Sequence, residues 1–189
     1  MTEEIFDVVN NDDVVIGQER RSVVHRSGLQ HRGIHICLFT ADGKLLVQQR
    51  SKDRHASPSS LDCSVSEHVK AGEDYLTAAQ RGLKEELGLE NIALEPVITF
   101  KMNYGLNDNE ICRLFQGRLY DPSLVRFDPI EVESVDYASI EELQRLLAEG
   151  TKPFSRWFEQ MVLWIGGKPN ELQILSTHGP LRPEGAGDQ

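Results

Sequence analysis

Residues Glu67 to Leu89 read E-H-V-K-A-G-E-D-Y-L-T-A-A-Q-R-G-L-K-E-E-L-G-L, and this stretch decides the fold. Tyr75 or Leu76, Ala79, Leu83 and Leu87 recur near helical spacing, which predicts an amphipathic helix from Asp74 to Leu87. Gly88 is placed to cap it. Glu85 and Glu86 fall in its last turn, where the negative end of the helix dipole disfavours carboxylates and favours Lys or Arg. A divalent cation would offset that cost. A solvated face, with Arg81 set against Glu85 at i, i+4, would offset it too.

Outward from this helix the chain alternates short strands and turns. Ile5 to Val9 and Val14 to Gly17 read as strands around Asn10-Asn11-Asp12-Asp13. Arg20 to His31 is basic and polar, and reads as partly helical. Gly33 to Phe39 and Lys44 to Gln49 form a hairpin across Thr40-Ala41-Asp42-Gly43. Ser51 to Ser60 is a polar loop carrying Lys52, Arg54 and His55. Asp62 to Val69 is extended, so Ser64, Ser66 and His68 would share one face and Cys63 would point to the other. Leu94 to Met102, Glu110 to Leu119 and Glu131 to Asp136 are further strands. Ser139 to Ala148 is a helix opened by the capping box Ser139 and Glu142, and Phe154 to Ile165 is an apolar helix. The polar, Pro/Gly-rich tail from His178 onward is expected to fray. Strands and helices without strict βαβ alternation predict an α/β protein of the α+β kind, with a mixed sheet. The expected organisation is one domain over 1–178 and a flexible tail over 179–189.

A chain of 189 residues can bury one full core. Its net charge of -10 argues against nucleic acid and anionic membrane as general partners, so an anionic substrate must be drawn by local cations and metal. Cys37, Cys63 and Cys112 are an odd set without a C-x-x-C pair, which fits a reducing cytoplasm. The acidic start, Met1-Thr2-Glu3-Glu4, has no apolar run and reads as no signal peptide; no stretch reads as a membrane span.

The offsets of Glu73, Arg81, Glu85, Glu86, Gly88 and Leu89 resemble the Nudix box, G-x5-E-x7-R-E-U-x-E-E-x-G-U with U aliphatic. Two positions depart from it: Glu67 stands for the opening Gly, and Gly82 for the Glu after Arg81. The likeness extends to the isopentenyl-diphosphate isomerase branch of that family. His31, Ile34 to Phe39, Asp42-Gly43, Leu45 to Val47 and Arg50 are similar to its N-terminal half. Ser64 to His68 resembles its S-V-C-G-H segment, Asn109 to Cys112 its N-E-V-C segment, and Pro153 to Trp157 its F-S-P-W segment. Ser66 stands where that branch has its catalytic Cys.

The resemblance implies an α/β/α sandwich and a loop-helix-loop that binds Mg²⁺ or Mn²⁺. It places Glu85 and Glu86 at the metal, with Glu73 bracing the loop. On the isomerase pattern, His31, His68, Glu86 and Glu110 fall on metal positions, Asp108 replaces a Glu there, and His25 is one residue out of register. A site containing imidazole would favour Mn²⁺ or Zn²⁺. Arg50 and Arg54 match positions that grip the diphosphate, a role suited to the guanidinium fork. Ser66, Glu110, Tyr104 and Trp157 would line the reacting pocket, whereas His35, His55 and His178 read as ordinary surface or core histidines. Trp157 reads equally well as core.

The expected function is a divalent-metal-dependent hydrolase that cleaves a diphosphate bond in a nucleoside or small organic diphosphate, with Glu110 as candidate base. The isomerase is the alternative, weakened by Ser66 because a hydroxyl is a far weaker acid than a thiol. A third reading, motivated by Glu67 and Gly82, is an inactive diphosphate-binding module. The expected assembly is a monomer or homodimer.

Overall fold

In the computed structural model, which describes residues 3–54 and 56–183, the chain begins with β1 (Ile5–Val9), β2 (Val15–Arg20), α1 (Arg21–Ser27), β3 (His31–Thr40) and β4 (Leu45–Arg50). Then follow β5 (Leu61–Asp62), β6 (Val65–His68), α2 (Tyr75–Leu87), β7 (Leu94–Asn103) and β8 (Asn109–Leu119). The last elements are β9 (Val132–Ala138), α3 (Ile140–Glu149), α4 (Arg156–Ile165) and β10 (Gln173–Thr177). His55 and residues 184–189 lie outside the described residues.

β1 and β2 form a hairpin of their own, and the other strands make one mixed sheet in the order β10-β7-β8-β3-β4-β5, with β6 added to β3 and β9 to β4. Among the described residues, β3 and β8 are the strands that pair in parallel. Alternation along β3 sorts the layers. Ile34, Ile36 and Leu38 pack with Ala78, Ala79, Leu83 and Leu87 of α2, while Cys37 and Phe39 pack with Leu143 of α3 and Phe158, Met161 and Val162 of α4. The result is the α/β/α sandwich expected. Full burial of Leu83 and Leu87 contributes about 2 kcal/mol each.

The helix ends follow local chemistry. Asp74 accepts from Thr77 N at 2.7 Å, and Gly88 closes α2 in the left-handed region at φ 64°. Ser139 and Glu142 form the capping box of α3. Among the described residues no helix is long and apolar enough to cross a membrane.

One element carries no reading from the sequence, and two expectations need correction. The strand β10, an exposed edge, has no strong apolar pattern to announce it. The tail does not fray from His178: His178 N donates to Val97 O, Gln116 Nε2 donates to Pro180 O, and Arg182 N donates to Gln116 Oε1 at 2.7 Å, so the chain lies along β7 and β8 through Pro183. Cys63 does not point away from Ser66, because Asp62 to Val69 is not one continuous strand. The break between β5 and β6 shifts the parity, so Ser64 Oγ bridges Leu38 N and Leu46 O. Cys63 Sγ and Ser66 Oγ both face His35 Nδ1, at 4.0 and 3.0 Å.

Candidate functional site

Two groups of ligand-type side chains arise on opposite sides of β6. In the register of β3 against β6, Gly33 pairs with His68, Ile34 with Glu67 and His35 with Ser66. Ser66 and His68 therefore share the face of Gly33 and His35, and Glu67 shares the α2 face of Ile34. In the parallel pairing of β3 with β8, His31 stands opposite Glu110 and Gly33 opposite Cys112, which puts His31 and Glu110 on that first face as well.

The first group is imidazole-rich. Ligand atoms of His25, His31 and His68 lie within 4.8 Å of one another, as do those of His31, Asp108 and Glu110. Glu110 Oε1 is 3.6 Å from both His31 Nε2 and His68 Nε2, and Asp108 Oδ1 is 3.3 Å from His25 Nδ1. All five residues proposed from the sequence thus converge. Phe6 covers them, stacked on His68 at 4.8 Å and on His31 at 5.6 Å between centroids. Gly33 makes room beneath: a Cβ there would overlap the Glu110 carboxylate and meet Cys112 Sγ at 2.9 Å.

Burial dominates the electrostatics of this group. It holds His31 down to about 4 and His68 well below its usual value, and it lifts Glu110 to about 8, with the Asp108 charge adding to the rise. Neutral imidazoles are what a metal requires. His31 Nε2 and Asp108 Oδ1 are buried yet make no hydrogen bond. Such orphaned atoms are costly in a folded protein, and a cation between them would satisfy both. The donor set fits a divalent metal.

The second group is acidic: Glu67 of β6, Glu86 of α2 and Glu131 just before β9, with ligand atoms again within 4.8 Å. Glu86 is buried and accepts from Gln48 Nε2 at 2.8 Å. Burial, then the Glu67 charge, pushes its carboxyl well above the usual range; burial also raises Glu67 against the opposing Arg81. Hard oxygen donors fit Mg²⁺ or Mn²⁺. Glu85 belongs to neither group. One residue along the helix turns it about 100° away, where it is half exposed and pairs with Arg81 at 2.9 Å, the i, i+4 contact considered from the sequence. Glu73 braces the loop, accepting from Lys70 N at 2.9 Å and from Arg81 Nε at 2.9 Å.

Both groups open into one cavity of about 980 Å³, lined by Glu67, His68, Glu110 and Glu131 among others. Arg50 and Arg54 line it too, but each already has partners. Arg50 is buried beside Trp157, donating to Asp62 Oδ2 at 2.8 Å and to Ala56 O, and Arg54 pairs with Glu131 at 2.8 Å. Trp157 is both core and cavity wall: its indole N–H donates to Asp62 Oδ1 at 2.6 Å.

Around His35 a hydrogen-bonded chain fixes the tautomer. Tyr104 O–H donates to Cys112 Sγ, and Cys112 S–H donates to Glu110 Oε2. Tyr104 oxygen therefore accepts from His35 Nε2–H at 3.1 Å, and His35 Nδ1 accepts from Ser66 O–H at 3.0 Å. Burial holds His35 near 3, so it is neutral.

Sequence reasoning missed His35, Gly33, Asp62 and Glu131. Parity could have found the first two, since His31, Gly33 and His35 alternate on one strand face and a glycine inside a strand marks close approach. Asp62 and Glu131 carry no local signal.

A family profile described as NUDIX domain matches residues 29–158. The chain is 30% identical over 156 residues to an isopentenyl-diphosphate Delta-isomerase of Pectobacterium atrosepticum, covering 80% of this chain and 86% of that protein. It is 32% identical over 161 residues to Nudix hydrolase 3 of Arabidopsis thaliana, covering 79% of this chain and 21% of that protein. In structure it is similar to a crystallised protein of Deinococcus radiodurans, with a TM-score of 0.73 at 24% identity, covering 84% of this chain and 97% of that one.

Proposed function

The chain belongs to the Nudix family, and from that premise we propose that it is a divalent-metal-dependent hydrolase that cleaves a diphosphate bond in a nucleoside or small organic diphosphate. One observation carries this reading over isomerisation: carboxylates and imidazoles line the cavity, and no thiol does among the described residues. Cys63 and Cys112 are fully buried, with thiols that donate to Val65 O and Glu110 Oε2 and are pushed well above their usual range by burial. The hydroxyl of Ser66 lines the cavity but commits its proton to His35 Nδ1, so it offers lone pairs there and no acid.

Glu86 would hold Mg²⁺ or Mn²⁺ in the acidic group, and His25, His31, His68, Asp108 and Glu110 would hold Mn²⁺ or Zn²⁺ in the other. A bound cation supplies Lewis-acid polarisation of a phosphoryl oxygen and a lowered pKa for an attacking water. Arg54, released from Glu131, can turn its fork to the phosphates. Arg50 keeps Trp157 and Asp62 in place at the cavity wall. Glu110, with one oxygen beside two imidazoles, is the candidate acceptor for the proton of the water.

A second reading, isopentenyl-diphosphate isomerase, is favoured by the complete convergence of the imidazole-rich group and by the isomerase relatives. A panel of nucleoside diphosphates, sugar nucleotides and isopentenyl diphosphate, assayed with Mg²⁺ or Mn²⁺ for both phosphate release and isomer formation, separates the two. Release of phosphate or a monophosphate is the expected outcome. Isomer formation without release would overturn the hydrolase reading. The protein is expected in the cytoplasm as a monomer or homodimer, which fractionation and light scattering would check.

A further inference from the structure

The two departures from the Nudix pattern, Glu67 and Gly82, meet in space. A Cβ built on Gly82 would lie 2.8 Å from Val65 Cγ1, 3.2 Å from Glu67 Cγ and 3.5 Å from Glu67 Cβ. The volume into which a side chain at position 82 would start is therefore filled by the stem of Glu67 and its neighbour on β6. Position 67 has no need of glycine, since it sits in regular strand opposite Ile34 and its φ is not positive. From there the side chain projects onto the α2 face, where its carboxylate comes within 4.8 Å of the ligand atoms of Glu86 and Glu131. Arg81, anchored to Glu73, is 3.3 Å from it and fixes its direction.

We propose that Glu67 and Gly82 are one exchange: the carboxylate that the family carries on the helix after its Arg is here carried on strand β6, and Glu67 is a metal ligand of the acidic group together with Glu86 and Glu131. The exchange deepens the hydrolase reading and removes the motive for an inactive module, because the box loses no carboxylate and only moves one. It also assigns a role to Glu131, on a segment outside the box and paired with Arg54 until a cation competes for it.

The test is Mn²⁺ titration by calorimetry and by the EPR signal of free Mn²⁺, on the full chain and on Glu67→Gln, Glu67→Gly, Gly82→Glu and the reversal Glu67→Gly/Gly82→Glu. Glu86→Gln identifies which binding phase belongs to the acidic group, and circular dichroism shows which variants fold. Glu67→Gln is expected to weaken that phase at least about tenfold, since even outer-shell partners of a metal are worth that much. Gly82→Glu alone is expected to destabilise the fold through the overlap with Val65 and Glu67. The reversal removes the Glu67 contact and keeps the Val65 one, so it is expected to recover part of that stability and to restore binding to within about threefold of the original. Unchanged Mn²⁺ affinity in Glu67→Gln, or a folded reversal that binds no better than Glu67→Gly, would overturn the exchange. Turnover is not a readout here. If affinity follows the exchange while no diphosphate is hydrolysed, the hydrolase reading fails and the exchange stands.

Discussion

The acidic and imidazole-rich groups share one cavity but are built in opposite ways. Glu67, Glu86 and Glu131 come from a strand, a helix end and a loop, on the α2 side of the sheet. Most of the other group sits on the face of β3, β6 and β8 that looks away from α2, with Phe6 over it and Gly33 beneath. Adjacent residues of β6, Glu67 and His68, serve the two groups only because a strand alternates its faces. Each group also has a member set behind the cavity wall, Glu86 in one and His31 in the other. The lesson is that one pleat can keep a hard oxygen site apart from a nitrogen-containing site, and each should fail on its own.

The largest test of that separation is Glu86→Gln. Turnover with Mg²⁺ is expected to fall by about two orders of magnitude or more, because the buried oxygen donor of the acidic group is lost. The fold should gain. Its carboxyl is held well above the usual range by burial and Glu67, so at pH 7 the metal-free protein bears the cost either of burying that charge or of protonating it, and glutamine keeps an oxygen for Gln48. A rise in Tm equivalent to about 1 kcal/mol is expected without metal. Binding of Mn²⁺ at the imidazole-rich group should persist. Loss of both binding phases would merge the two sites into one.

Gly33→Ala strikes the other group. The added methyl overlaps the Glu110 carboxylate, and the fold is expected to lose about 1–3 kcal/mol, as overpacked cores do. The Mn²⁺ phase retained by Glu86→Gln should weaken while Mg²⁺ binding at the acidic group is kept. A denaturant midpoint equal to that of the original chain would show that Glu110 has room to move.

What the sequence disclosed and what it hid divides along the same line. The helix from Asp74 to Leu87, its Gly88 cap and the Ser139 capping box are local, set by residues a turn apart, and all three formed as read. The five imidazole-group residues were found through the resemblance alone, since His25 and Glu110 are 85 positions apart and nothing in composition joins them. Glu67 was visible only as a fault in a motif, because its compensation by Gly82 depends on the distance between β6 and α2. Cys63 was set on the wrong side because strand parity was carried across a break. Arg50 read as a phosphate grip, yet it is held by Asp62, whose role as acceptor for Arg50, Ser155 and Trp157 needs β5 and α4 side by side.

Metal-free stability should follow pH in a way that a cation reverses. His31 and His35 are held near 4 and 3, so below pH 6.5 the unfolded chain takes up protons that the folded one refuses. Their contribution then falls as pH drops from 6.5 towards 4, by up to about 1.4 kcal/mol per pH unit for each histidine. Glu110 works the other way. Held near 8, it keeps a proton that the unfolded chain releases from about 4.5, so its contribution is lost as pH rises from there through 8. Raised Glu67 and Glu86 add to that loss. His68, also held well below its usual value, makes three histidines that nearly cancel the three carboxylates between about pH 4.5 and 6.5. Above about 6.5 only the carboxylates remain, so urea midpoints without metal should change little over that range and decline from pH 6.5 towards 8. Saturating Mn²⁺, which binds the ionised carboxylates and neutral imidazoles, should abolish the alkaline decline. A decline that persists would mean that these carboxylates do not face the cation.

The smallest effect expected is that of Ser66→Ala, and it bears on what the shared cavity does. Ser66 gives one neutral hydrogen bond to His35 and touches neither group of ligands directly. Its removal leaves His35 Nδ1 with only the distant Cys63 sulfur, which should cost about 1 kcal/mol of stability. Hydrolysis should fall less than about tenfold, because no proton of the reaction passes through a hydroxyl aimed at a neutral imidazole. The companion Ser66→Cys adds a thiol where the isomerase relatives' branch carries its catalytic one, and should leave hydrolysis within about threefold. A loss beyond about a hundredfold in Ser66→Ala would place this residue in the reacting pocket and make the His35 chain part of the chemistry. Isomer formation by Ser66→Cys, absent from the original chain, would show instead that both metal groups already suit an allylic diphosphate and that the side chain at 66 alone decides between cleavage and isomerisation.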